Sequence, residues 1–127
     1  MSALDPLERD LVKCEDMRLY AERAQKFLGS RSFEEFKNDQ LVQDAIIRCV
    51  EVIGEAARSV SEETQNRSPD IPWPLITGMR NILAHEYGTV DLEEVYDVVD
   101  QKIPELLTHL RPLIEELEQE VNWEEDS

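Results

Sequence analysis

The chain has 127 residues, 41% of them hydrophobic, with only four Gly and six Pro and a formal net charge of −16. That length suits a single domain burying something under about 70% of its unfolded surface, and the composition argues against a disordered or all-β protein. No run of about 18 apolar residues occurs and no basic segment precedes an apolar stretch at the N-terminus, so a cytoplasmic location is expected. Leu4, Leu7, Leu11, Cys14, Met17, Ala21, Ala24 and Leu28 recur at steps of three and four and predict a first amphipathic helix over about 3–28, ended by Gly29. Glu8, Arg9, Asp10 and Lys13 alternate in sign and read as its solvated face. Ser32 and Glu35 form a capping box that opens one short turn of helix, with Phe33 and Phe36 plugging the end of the core.

From about Asp39 to Thr64, Val42, Ala45, Ile46, Cys49, Val52, Ile53, Ala56 and Val60 again have helical period. Gly54 lies inside that run and costs about 1 kcal/mol relative to alanine, which close packing or a ligand near the backbone would offset. Glu55 beside it is placed to steady a guanidinium, of Arg80 or Arg48, or to be a plain solvated side chain. Cys14 and Cys49 fall among apolar residues and read as buried free thiols, without the spacing of a zinc site.

The prolines in Asn66-Arg67-Ser68-Pro69-Asp70-Ile71-Pro72-Trp73-Pro74 demand a loop, anchored by Trp73 and leading into a helix at Pro74. Leu75, Ile76, Met79 and Leu83 are its expected buried stripe. After Gly88 a second cap, Asp91, opens a last helix carrying Val95, Val98, Val99, Ile103, Leu106, Leu107 and Leu110, bent at Pro104 and Pro112. His109 has no partner evident in the sequence and reads as structural. The boundaries are a helical domain over 1–121 and an acidic tail over 122–127.

The chemistry concentrates in Arg80-Asn81-Ile82-Leu83-Ala84-His85-Glu86-Tyr87. Arginine can clamp a phosphate through two parallel hydrogen bonds, and histidine moves protons near neutral pH. Together they suit metal-free cleavage of a phosphodiester by its own 2′-hydroxyl, without a cofactor. On one ideal helix, however, Arg80 and His85 lie about 140° and roughly 7.5 Å apart. A two-fold dimer would bring a second copy of each to one cleft, so one imidazole could act as base and the other as acid.

Arg80-x4-His85-x-Tyr87, preceded in order by Ile53-Gly54-Glu55-Ala56-Ala57 and Ile71-Pro72-Trp73, resembles the HEPN proteins, and specifically the HepT-type toxins, over roughly residues 5–115. The resemblance implies an all-α, up-and-down bundle of four to five helices, forming a homodimer that acts as a ribonuclease toxin of a type VII toxin–antitoxin system. It implies Arg80 and His85 as the catalytic pair and Asn81 at the cleft, and it favours Glu55 as a supporting group. It further implies Tyr87 as the residue that a cognate minimal nucleotidyltransferase antitoxin, of the MntA type, adenylylates. Glu86 departs from a surface meant for RNA, adding negative charge beside the motif.

Net charge is the counter-argument, since a polyanion is repelled by this chain's long-range field. Seven acids follow Pro112, and the first 112 residues carry 13 basic against 22 acidic groups, or −9. The alternative reading is a non-catalytic helical subunit that binds a nucleotidyltransferase through its acidic surface, with Tyr87 as that partner's substrate.

Overall fold

The structure, a computed structural model, describes residues 4–79 and 90–126, with side chains as far as 123. Among the described residues it is all-α, as expected. Helix α1 (Pro6–Leu28) begins three residues later than the periodicity suggests, because Asp5 caps it, accepting from the Glu8 amide at 2.9 Å, and Pro6 takes the first helical position. It stops at Gly29, whose φ of 57° lies where a side chain is strained and whose N–H closes on the Gln25 carbonyl at 2.9 Å. Helix α2 (Phe33–Lys37) carries both bonds of the predicted capping box, each 3.2 Å.

Helix α3 (Gln40–Arg58) starts where predicted, on an Asp39 cap, but ends six residues early. A new helix, α4 (Glu62–Arg67), starts from a Ser61 cap and takes in Asn66 and Arg67, which the prolines had suggested as loop. The cause is Asp10. Expected on the solvated face, it is 4% exposed, and its carboxylate accepts the Ser61 amide at 3.0 Å, the Thr64 hydroxyl at 2.6 Å and the Ser61 hydroxyl. A buried carboxylate needs several donors, and breaking the helix at Ser59–Ser61 supplies them. The register signal was present: Asp10 precedes Cys14 by four positions and Met17 by seven, on the face that is buried.

Helix α5 (Trp73–Gly78) follows the loop, whose Trp73 indole donates to the Ser68 carbonyl at 3.1 Å, so the predicted anchor is present. Ile76 and Met79 are buried, but Leu75 is 49% exposed and leaves the predicted stripe, because this short helix presents one narrow side to α3. Asp91 caps α6 (Leu92–Asp97) by accepting from the Glu94 amide at 3.2 Å. A π-helical turn over Val98–Lys102 connects it to α7 (Ile103–Asp126). In that turn the Ile103 N–H reaches back five residues to the Val98 carbonyl. The bend predicted at Pro104 is thus accommodated by a widened turn that makes room for a ring with no donor. Pro112 lies within α7, which continues through the acidic segment to Asp126.

Helix α1 packs between α3 and α7 and is antiparallel to both. Asp10 meets the segment beyond the C-terminal end of α3, while Arg111 of α7 reaches Glu22 at 3.3 Å. The core is drawn from all three helices: Cys14, Met17 and Ala21; Ile46, Val50 and Ile53; Leu106, Leu110 and Leu117. Phe36 closes one end, its ring 5.8 Å from that of Tyr96, with Phe33 at 5.6 Å from the same ring. Both cysteines are buried free thiols, as expected, and burial, followed by Asp10 and Glu15, pushes Cys14 up to about 12, so it stays protonated and unreactive at neutral pH.

Burial, and then the carboxyl of Glu118 on α7, raise the Glu15 carboxyl above its ordinary value. A carboxyl raised on folding favours the folded state below its unfolded value, and that contribution is lost as pH climbs through the raised one. Glu15→Gln is therefore expected to raise the melting temperature at pH 7, by a few tenths of a kcal/mol or roughly 1–2 °C, and to have no such effect near pH 3. Thermal melts of both proteins across that range check the sign.

Candidate functional site

Arg80, Asn81, His85 and Tyr87, with Leu83, Glu86 and Gly88, lie outside the described residues. The described residues set the two ends of the segment that carries them. On the incoming side, Ile71, Trp73, Ile76 and Met79 are all buried, and α5 packs on α3. Such residues cost roughly 1.5–3 kcal/mol each to withdraw, so residue 79 is a fixed point. On the outgoing side Val90 packs against the core, Asp91 caps α6, and the Tyr96 hydroxyl donates to the Arg31 carbonyl at 2.9 Å. Ten residues, 80–89, thus span two firmly seated anchors.

Glu55 is exposed on α3, the helix that receives α5, and its backbone carbonyl accepts the Ser59 hydroxyl at 3.2 Å. Gly54 beside it is buried, in keeping with the packing role considered from the sequence. Arg48, a candidate partner for Glu55, has its guanidinium 3.4 Å from Glu51. That pair is exposed and adds little to stability.

A polar cleft of about 310 Å³, unrecognised from the sequence, lies where α1, α4 and α7 meet, lined by Asp10, Ser61, Thr64, Arg67 and Glu120 among others. Arg67 grips Glu120 through both terminal nitrogens and reaches Glu116 at 3.3 Å. Hydrogen bonding to Glu120, more than the burial that opposes it, raises the guanidinium, and the same bonds lower the Glu120 carboxyl. An arginine so engaged ties α4 to α7 and has little capacity left for a phosphate. His109 lines a neighbouring hollow of about 210 Å³ with Arg67, Asp70 and Glu116. Partners for these groups come from 49 to 54 residues away in sequence, beyond the reach of any local pattern.

The segment with the Arg-x4-His spacing sits inside the span, residues 17–113, that matches the family described as Ribonuclease HepT-like. The chain belongs to the HepT-like ribonucleases. Among relatives of this HepT-like chain, a Methanocaldococcus jannaschii protein named "Putative RNase MJ0125" is 34% identical over 104 residues, covering 82% of this chain and 90% of that one. A Thermococcus cleftensis protein named "Probable ribonuclease HepT" is 35% identical over 92 residues, 72% of this chain and 84% of the relative. A Caldanaerobacter subterraneus protein named "Putative RNase TTE0752" is 33% identical over 84 residues, 66% of this chain and 75% of its own. No solved structure matches the HepT-like chain significantly. Among its described residues, no helix is long and apolar enough to cross a membrane.

Proposed function

We propose that this HepT-like protein is a metal-independent endoribonuclease toxin of a type VII toxin–antitoxin system, acting in the cytoplasm as a homodimer. The observation that carries the reading is the Arg80-x4-His85-x-Tyr87 spacing, inside the family span and between two anchored ends. His85 takes the proton of the ribose 2′-hydroxyl, whose oxygen attacks phosphorus. The bond to the 5′-oxygen breaks, and a second His85, from the partner copy, protonates the departing oxygen. Arg80 neutralises charge building on the phosphoryl oxygens, Asn81 orients the substrate and Glu55 steadies the guanidinium. The products carry a 2′,3′-cyclic phosphate and a 5′-hydroxyl. Fragments ending in plain 3′-hydroxyls, with 5′-phosphates, would contradict this chemistry.

The outward side of α5 supports the dimer. Leu75 is 49% exposed, and a Cβ placed on Gly78, three residues on, would meet no atom of the described residues within 4 Å. Both sit just before Arg80, where a second copy could approach closely. Leu75→Arg is expected to give a monomer by light scattering and to lower cleavage by at least about tenfold, since one copy cannot supply both acid and base. A dimer that persists with full activity would remove α5 from the interface.

Control is proposed through Tyr87. Its adenylylation by a cognate nucleotidyltransferase of the MntA type would place bulk and phosphate charge in the cleft, excluding RNA. Mass spectrometry after co-expression with such an enzyme should show one or more AMP units on Tyr87, absent from Tyr87→Phe. The reading as a non-catalytic partner subunit is favoured by α7, whose span holds eight acids against one arginine. It predicts that protein freed of AMP binds the transferase yet cleaves no RNA.

A further inference from the structure

The two longest stretches of this acidic chain without a carboxylate side chain are 71–85, which contains Arg80 and His85, and 23–33. The second joins α1 to α2 and contains Arg23, Lys26, Phe27, Arg31 and Phe33. Its cations differ in availability. Arg31 is occupied, donating to the Phe27 and Leu28 carbonyls at 2.9 and 3.2 Å and lying 3.6 Å from Asp39. Arg18, Arg48, Arg67, Lys102 and Arg111 also face carboxylates within 4.0 Å. Arg23 and Lys26 are exposed, and among the described residues no carboxylate lies within salt-bridge reach of either. Steps of three and four place Arg23, Lys26 and Phe27 on one side of α1. Phe27 is 37% exposed, and the Arg23 guanidinium lies over the Tyr20 ring, 4.8 Å from its centroid.

This turn is also joined to the element that leaves the motif segment. Tyr96 of α6 donates to the Arg31 carbonyl and stacks edge-on against Phe33, so the α1–α2 turn and the outgoing anchor of residues 80–89 form one packed unit. Arg23 and Lys26 lie within about two helical turns of that junction.

We propose that Arg23, Lys26 and Phe27 form a second RNA contact, which holds single-stranded RNA flanking the scissile bond. The proposal rests on the ribonuclease reading above. The Arg23 guanidinium, held over Tyr20, and the exposed Lys26 ammonium pair with successive phosphates, while the Phe27 ring receives an unpaired base. Local attraction of this kind offsets the repulsive field of the whole chain at short range, where salt screens the distant acids. It restricts binding to strands that reach both the motif and the turn.

The test measures anisotropy of a labelled 12-nucleotide single strand, 2′-O-methylated so that it has no nucleophile and cannot be cleaved. In Arg23→Gln/Lys26→Gln the dissociation constant should rise on the order of tenfold, and the slope of log affinity against log salt should shrink by about 1.4, or roughly 0.7 per lost phosphate contact. Arg9→Gln/Lys13→Gln, an equal change of charge at the other end of α1, should behave as wild type. Cleavage of a dinucleotide, too short to reach the turn, should be the same in all three proteins. Unchanged affinity and slope in Arg23→Gln/Lys26→Gln overturn the proposal, as does failure of wild type to bind the strand. Unchanged RNA affinity with loss of the dimer would overturn it too and assign this face to a protein contact. A wild type that binds the strand but cleaves no RNA would instead sink the ribonuclease reading alone.

Discussion

Replacing His85 with alanine is expected to reduce RNA cleavage by about 10²–10⁴-fold, the range for removing a positioned general acid or base. Arg80→Ala should cost about 10²–10³-fold, as loss of one preorganised partner for transition-state charge usually does. The two losses should differ in character. In the proposed mechanism Arg80 contacts the phosphate in both ground and transition states, so its loss should raise KM as well as lower kcat, whereas His85 would act only as protons move and should mainly lower kcat. Steady-state kinetics on a defined single-stranded RNA separates them. Either variant retaining more than about a tenth of wild-type kcat/KM would remove that residue from the chemistry.

A cleft shared by two copies allows a sharper experiment. Arg80 and His85 cannot share a face of one regular helix, so two copies must cooperate if the helix stays regular. In a mixed dimer of wild-type and His85→Ala subunits, one imidazole remains. If base and acid come from different copies, its activity should fall close to that of the His85→Ala homodimer. About half the wild-type activity would mean that each copy works on its own.

The second large effect concerns stability. Asp10→Ala is expected to cost about 3 kcal/mol, because it leaves the Ser61 amide and two hydroxyls in a buried site without their acceptor. For a chain of this size that corresponds to a fall in melting temperature of roughly 10–15 °C. Asp10→Asn keeps one acceptor oxygen, and the Ser61 and Thr64 hydroxyls can turn to accept from the new amide, so roughly half of the loss should be recovered. Urea unfolding of the three proteins measures both numbers. A cost below about 0.5 kcal/mol for Asp10→Ala would mean that the junction of α1 with α4 contributes nothing to holding the bundle together.

Asp10 also shows where reading a sequence stops. Helix starts at Ser32 and Asp91 were legible because a cap is a bond between residues three apart, and the same residues occupy those positions in the structure. The start near Asp39 was legible from hydrophobic period alone. The ends of the core were legible too: Phe36 is fully buried and Trp73 anchors its loop. The break of the long helix at Ser59–Ser61 was not, because nothing within it demands a stop; the demand comes from a carboxylate 51 residues earlier. Likewise, Pro104 announced a disturbance, but that it takes the form of a π turn is settled by how Val98, Val99 and Ile103 are held in the core.

For the candidate site the division has the same origin. The residue types of the Arg-x4-His-x-Tyr motif, and the family they indicate, were determined by the sequence alone, since chemical identity and spacing are properties of the chain. What tertiary structure decided was which charges remain available. Packing α1 against α3, α4 and α7 buried Asp10 and consumed Arg67 and Arg111, and it left Arg23 and Lys26 exposed beside the turn that is pinned to α6. Local pattern cannot supply that selection, because a charge is free or spent according to partners that only folding brings within 4 Å.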